Sequence, residues 1–252
     1  MKKVVLLMGI VALMFGCKSS GEKSTAMDDS HNSRNSLDWA GTYVGTLPCA
    51  DCAGIDFMVV LYNDNTFILS RTYLANPEAN FTSEGSFTWD DKGLVITIED
   101  LEKDKFIFKV GENRLISLDQ KGNEIKGELE QNYILDKIDD TLIGKRWKLV
   151  ELMGQPVVTP EGGKEAFMIL RHDGNVSGDF GCNVFNGTYN LRKGDRIHFL
   201  PAISTMMMCS NMETEQKFKE VLETVDNYNY IDGNKLVLNR ARMAPLARFE
   251  IE

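Results

Sequence analysis

From Trp39 onward, short runs of alternating or continuous apolar residues are separated by polar turns. The pattern predicts strands over 42–47, 56–62, 66–73, 81–89, 94–98, 105–110, 114–118, 124–129 and 133–135. The turn Asn63-Asp64-Asn65 makes a hairpin of the second and third, and 90–93 turns the chain into the fifth. No helical period interrupts this set, which reads as a sandwich or small barrel. Residues 137–141 are polar and predict a linker. Strands return over 146–152, 166–171, 176–178, 187–191 and 197–200, with a turn at 172–175. Then the period changes. Within 213–225, Phe218, Val221, Leu222 and Val225 fall on one helical face, and Ser210 and Glu213 have capping-box spacing. Strands over 228–231, 235–239 and 246–251 close the chain. One helix among strands makes this half α+β. Both halves open on a Gly near an aromatic (Gly41-Thr42-Tyr43; Gly144-Lys145-Arg146-Trp147), but the rest does not align, so no internal repeat is read.

The first residues follow another order. Lys2 and Lys3 precede an apolar run over 4–15, and Gly16-Cys17 follows at once. The run is too short to span a bilayer as a helix, which takes about 20 apolar residues, and has the layout of an export signal. Leu13-Met14-Phe15-Gly16-Cys17 resembles a relaxed lipobox, which implies cleavage after residue 16 and lipid on Cys17. Residues 17–36 are rich in Ser, Asn, Lys and Asp and are expected to form a flexible tether. Lys18 stands where enterobacterial inner-membrane lipoproteins carry Asp, which points to the outer membrane with the leaflet open.

Charge refines the division. The formal net charge of −9 divides into +2 over 1–36, −10 over 37–136 and −1 over 137–252. An acidic first half repels phosphate backbones, so nucleic acid is not an expected partner. Besides Cys17 there are four cysteines: Cys49, Cys52, Cys182 and Cys209. An even number in an exported chain points to two disulfides, with three connectivities open. Pairing Cys49 with Cys52 and Cys182 with Cys209 would keep each bridge inside one half.

Cys49-Ala50-Asp51-Cys52 can be a tight disulfide, a redox pair or a two-thiolate site for a soft ion such as Cu(I). Strands flank it, whereas a thioredoxin-type motif starts a helix. His31, His172 and His198 are the only histidines and none lies within 37–136, which leaves a closed zinc site there short of ligands. The run Leu47-Pro48-Cys49-Ala50-Asp51-Cys52-Ala53-Gly54-Ile55, with Tyr43 and Gly45 before it and Glu84-Gly85 and Trp89 after, closely resembles the N-terminal domain of the NlpE family of envelope lipoproteins. The resemblance implies a small lipocalin-like β-barrel over 37–136, a role in copper tolerance, and signalling of envelope stress to a sensor protein. Longer members of that family carry a different, OB-fold-like C-terminal domain, so sensing that depends on it does not carry over.

The second half carries Trp147-Lys148-Leu149, Gly181-Cys182-Asn183, Gly187-Thr188-Tyr189 and Thr205-Met206-Met207-Met208-Cys209, then Glu215 in the helix. It resembles the META domain family, which includes the HslJ heat-inducible lipoproteins. This implies a compact α+β roll over 142–252 and an association with stress and antibiotic tolerance, without an established reaction. Thioethers are soft ligands, but alternating methionines on a strand are expected to fill the core, and Cys209 is expected to bridge Cys182. Ser204, Ser210, His198 and Asp195 are near one another in sequence without forming a recognised triad motif. There is no G-x-S-x-G, P-loop, dinucleotide fingerprint or H-E-x-x-H.

The expected protein is therefore mostly β: a lipocalin-like barrel, then a META-type α+β roll. It is expected to be a non-enzymatic lipoprotein held to the membrane by lipid, linked to copper tolerance and envelope-stress signalling through a sensor, with no required cofactor. The rival expectations are a lipocalin-like binder of an apolar ligand and a structural or inhibitory surface protein.

Overall fold

The apolar runs of the first half become nine antiparallel strands: β1 (Gly41–Leu47), β2 (Ile55–Leu61), β3 (Thr66–Tyr73), β4 (Asn76–Ser86), β5 (Thr88–Trp89), β6 (Val95–Glu99), β7 (Lys105–Gly111), β8 (Arg114–Ser117) and β9 (Ile134–Lys137). The computed structural model describes residues 31–251, except 75, 201, 210, 211 and 243. The expected export signal, Cys17, most of the tether and the Ser210 cap lie outside the described residues.

β1 to β4 pair in succession, as do β5 to β9, and β9 returns to β1. The two ends of this sheet are β4 and β5, which follow one another in the chain across Phe87. One bent strand thus pairs with β3 at its start and β6 at its end, and the meander curls into a barrel. Closure on the other side depends on Gly45. A Cβ there would lie 2.7 Å from Leu135 Cδ2 and 2.8 Å from the Ile134 carbonyl oxygen, so only glycine lets β9 approach β1. Inward residues alternate along the strands: Tyr43 and Leu47, Phe57, Val59 and Leu61, Phe67 and Leu69, with Ile96, Ile98, Phe108, Val110, Leu115 and Leu135. Among the described residues these side chains occupy the interior, which leaves a lipocalin-type ligand chamber little room.

Three expectations change here. The tether does not extend to 36, because Ser33–Ser36 forms a helical turn, α1, closed by a reciprocal Asn32–Asn35 capping box. Ser33 Oγ donates to the Val110 carbonyl at 2.7 Å, and Trp39 Nε1 donates to the Arg34 carbonyl at 2.9 Å. No strand forms over 124–129. Asp119 accepts from the Lys121 and Asn123 amides and turns the chain, and Leu129 is exposed, so this run has no apolar face to bury. A single bridge, Leu118 to Glu124, is all that forms there. Finally, the linker is tied down: Lys137 belongs to β9, the Ile138 amide donates to the Thr42 carbonyl, and Thr42 Oγ1 donates to Asp140 at 2.6 Å.

The second half contains β10 (Arg146–Leu152), β11 (Gln155–Pro156), β12 (Phe167–Leu170), β13 (Asn175–Asp179), β14 (Val184–Arg192), β15 (Arg196–Phe199), β16 (Ile203–Ser204), α2 (Met212–Thr224), β17 (Asn227–Ile231), β18 (Lys235–Asn239) and β19 (Ala247–Ile251). The expected α+β roll is in the structure a closed sheet with one helix. β19 pairs back with β10, from Trp147 opposite Ile251 to Leu152 opposite Ala247. Phe218, Val221 and Leu222 of α2, with Val225 after it, join the barrel residues Trp147, Met168, Phe185, Tyr189 and Phe249 in one core. Trp147 repeats the device of Trp39: its Nε1 donates to a carbonyl five residues earlier, that of Leu142, at 2.8 Å.

Residues 32–252 form one compact unit. β2 is buried along nearly its whole length because both faces are covered. Phe57, Val59 and Leu61 face the first core, whereas Met58, with Val44 of β1, belongs to the second. Full burial of such side chains is worth about 1.5–3 kcal/mol each. Around them Thr72 Oγ1 donates to Asn190 Oδ1, and Arg192 binds Asp56 through Nε and one terminal nitrogen, both at 2.6 Å.

Candidate functional site

The loop between β1 and β2 carries the first cysteine pair. Cys49 and Cys52 are joined by a disulfide, both half-buried, with Ala50, Asp51 and Ala53 exposed around them. The loop is anchored below by Thr46, whose hydroxyl donates to Asp56 at 2.6 Å, and by the Leu74 amide donating to the Gly54 carbonyl. Gly54 takes a positive φ of 142° and sits on Thr46, and a Cβ there would lie 2.9 Å from Thr46 Cγ2. In the bonded form neither sulfur is a thiolate, the state that ligates soft metals. Binding of Cu(I) by this pair requires reduction first.

The second pair belongs to a larger assembly. Cys182, buried at the start of β14, is bonded to Cys209, which is exposed. Between them Asn183, also buried, uses its whole amide. Its Oδ1 accepts from Thr205 Oγ1 and from the Met207 amide, each at 2.7 Å. Its Nδ2 donates to the Met207 carbonyl at 3.0 Å and to Glu215 at 2.9 Å. The Asn183 amide also donates to Glu215, and Lys219, one turn along α2, donates to the other carboxylate oxygen at 2.5 Å. Asn183 and Glu215 thus tie the chain before α2 to the barrel. A shallow cleft of ≈ 250 Å³ beside the disulfide is lined by residues 160–164, Gly181 and Met207.

Burial pushes the Glu215 carboxyl up, but the bonds from Lys219 and Asn183 outweigh it, and its pKa lies below the ordinary glutamate value. A carboxylate depressed in the folded state adds stability that is complete above its unfolded pKa of about 4.3 and is lost as pH falls through the lower folded value. Melting temperatures measured from neutral pH downward should therefore fall below about pH 4.3. Glu215→Gln should start lower and show a shallower acid slope, and an unchanged slope would remove Glu215 from the effect.

Sequence reasoning placed the methionines in the core, and the structure does not. Met206 and Met208 are 96% and 95% exposed, and Met207 is 48% exposed. The reason is local: Asn183 holds the Thr205 hydroxyl and the backbone of Met207, and the Thr205 amide bonds the Val184 carbonyl, so the flanking thioethers point to solvent. His198 does not meet Ser204 or Asp195 in a triad. It lies near the Asp56–Arg192 pair, where burial, then Arg192, lowers its pKa against the opposing pull of Asp56.

One group went unforeseen. Asp100, Glu102 and Asp104, alternating in the β6–β7 hairpin, bring carboxylate oxygens within 4.8 Å of one another. The buried guanidinium of Arg71 fills that position, at 2.5, 3.6 and 3.3 Å from them and 5.0 Å from the centroid of the Phe106 ring. The Asp-x-Glu-x-Asp spacing was visible in the sequence; its partner, 29 residues before Asp100, was not.

The architecture defines a class: two antiparallel β-barrels, packed outer face to outer face, each stapled by its own disulfide. Residues 43–128 match the NlpE N-terminal domain and residues 140–252 match the META domain, so the two halves carry one of these domains each. The chain is 28% identical over 145 residues to Lipoprotein NlpE of Escherichia coli K12, covering 56% of this chain and 59% of that protein. It spans, then, about three-fifths of that relative. Among solved structures, a lipoprotein candidate from Shewanella oneidensis is 44% identical, with a TM-score of 0.39, covering 42% of this chain and 94% of the other. The Cpx pathway activator NlpE from Escherichia coli is 17% identical, with a TM-score of 0.31, covering 84% and 92%.

Proposed function

We propose that this chain is an envelope-stress lipoprotein, lipid-anchored through Cys17, most simply at the outer membrane, that acts by contact with a sensor protein rather than by turnover. The match of residues 43–128 to the NlpE N-terminal domain, with the Cys49–Cys52 loop inside it, carries this reading. The relative in Escherichia coli is a lipoprotein by name, and its structure is described as an activator of the Cpx pathway. The first half supplies a rigid acidic barrel with one redox-sensitive loop at a strand connection. Oxidised, that loop is closed; reduced, it offers two thiolates for Cu(I). Copper tolerance and the lipocalin-like ancestry of the barrel belong to this proposal. An occupied barrel interior favours it over capture of an apolar ligand.

Two measurements test it. Cys17→Ser should move the protein from the membrane fraction to the soluble fraction and abolish labelling by palmitate, and retained labelling would remove Cys17 as the anchor. Purified residues 18–252 should bind about one Cu(I) when reduced and none when oxidised, with Cys49→Ser abolishing the uptake. Failure to bind in the reduced state would end the copper reading while leaving the anchor and the stress role standing.

A further inference from the structure

The longest uncharged stretch of the second half runs from Phe199 to Met212, in a chain of which 26% is charged. It contains β16, which lies off the closed path of the second sheet and among the described residues pairs with β14 alone, through Phe185 opposite Ser204 and Asn186 opposite Ile203. The Thr205 amide extends the pairing to the Val184 carbonyl. Along this edge Ile203 is 78% exposed and Met206 and Met208 are almost fully so, with Val184 exposed beside them. Large apolar side chains exposed together in one stretch of chain mark a candidate interaction surface.

Two further observations narrow its role. The first is protection. Strand edges are usually guarded by charge or proline. β4, bonded on one side to β3, contains Pro77, Glu78 and Glu84, and β11, bonded on one side to β10, contains Pro156. β16 has neither. The second is rigidity. Asn183 fixes 205 and 207, and the disulfide fixes 209, so little order has to be gained on docking. A lipid surface would cover the side chains but could not satisfy the backbone of a strand edge. Another strand does both.

We propose that β16 is a pairing edge for a second copy of this chain, the two edges running antiparallel across a two-fold axis with Ile203, Met206 and Met208 of each copy meeting those of the other. Two-fold pairing requires a surface complementary to itself. An uncharged apolar edge meets that requirement without opposing like charges, and the second half, at −1, brings little repulsion, unlike the first at −10. With a two-residue strand and a handful of side chains, the interface falls at the small end of specific contacts, so the dimer is weak and concentration-dependent. It needs neither copper nor a sensor.

Sedimentation velocity on residues 18–252, which include the whole compact unit, tests it from about 1 µM to about 1 mM. The expected result is a sedimentation coefficient that rises with concentration. Ile203→Lys and Met206→Lys should each weaken association at least about tenfold, with melting temperatures unchanged because both side chains already lie in solvent. Leu101→Lys, which alters an exposed leucine of the first half, should leave association intact. A wild type that stays monomeric over the whole range overturns the proposal. So does a dimer indifferent to both lysines, and so does binding to phosphatidylglycerol vesicles by a chain that does not self-associate.

Discussion

Asn183→Leu should lower the melting temperature by roughly 6–12 °C, the counterpart of about 3 kcal/mol in a protein of this size. The amide satisfies four partners at once: Thr205 Oγ1, both backbone groups of Met207, and Glu215. Leucine is close to it in volume but leaves the Glu215 carboxylate, itself buried, with fewer donors. A buried charge deprived of partners costs far more than the net worth of the bonds it had made. Thr205→Val removes one donor at an exposed position and should cost only about 1 kcal/mol. Calorimetry on the wild type and the two variants checks the order, and equal losses for Asn183→Leu and Thr205→Val would show that the carboxylate is solvated after all. Asn183→Leu should also free the Met206–Met208 segment, read as faster amide exchange over 203–208.

Arg192→Ala should cost about 2 kcal/mol and separate the melting of the two halves. Asp56 is 3% exposed and among the described residues would keep the Thr46 hydroxyl, whereas Arg192 is about one-third exposed and carries less of the penalty. Asp56 stands on β2, whose outer face contributes Met58 to the second core. Loss of the ion pair therefore acts on the seam where the two cores share a strand. The calorimetric trace is expected to be a single peak in the wild type and to broaden or split in the variant. Asp56→Ala combined with Arg192→Ala should recover part of the loss, because no buried charge is then left alone. A double variant as unstable as the sum of the singles would mean that the two groups do not interact.

The strands were legible because short apolar runs stand between polar turns. Thr66 to Tyr73 and Lys235 to Asn239 stand where the pattern placed them. The apolar run of β2 marked a strand, but not that both its faces are covered or by what, since nothing local to Met58 or Asp56 points to Asn190 or Arg192. The CxxC loop could be found from its spacing, and the Gly-Cys-Asn segment from its resemblance to the META family. The role of Asn183 could not, because its partners lie 22 to 32 residues away. The methionines were misplaced for a related reason. Period alone says that Met206 and Met208 share a side, and only the backbone bonds at 205 and 207 say that this side is the solvent. Two-residue strands such as β11 and β16 carry too few positions to show any period.

In each half the first and last strands are hydrogen-bonded neighbours, β1 with β9 and β10 with β19. A domain built this way is entered and left at one spot on its surface, so it can be attached to another chain without opening its sheet. Gene fusion then asks only for a short bridge. That property accounts for the join at 138–145, where a META domain follows an NlpE barrel after eight residues. It also implies that such barrels can be exchanged between exported proteins as cassettes, with the face formed by β1 to β3 left to decide which exchanges survive.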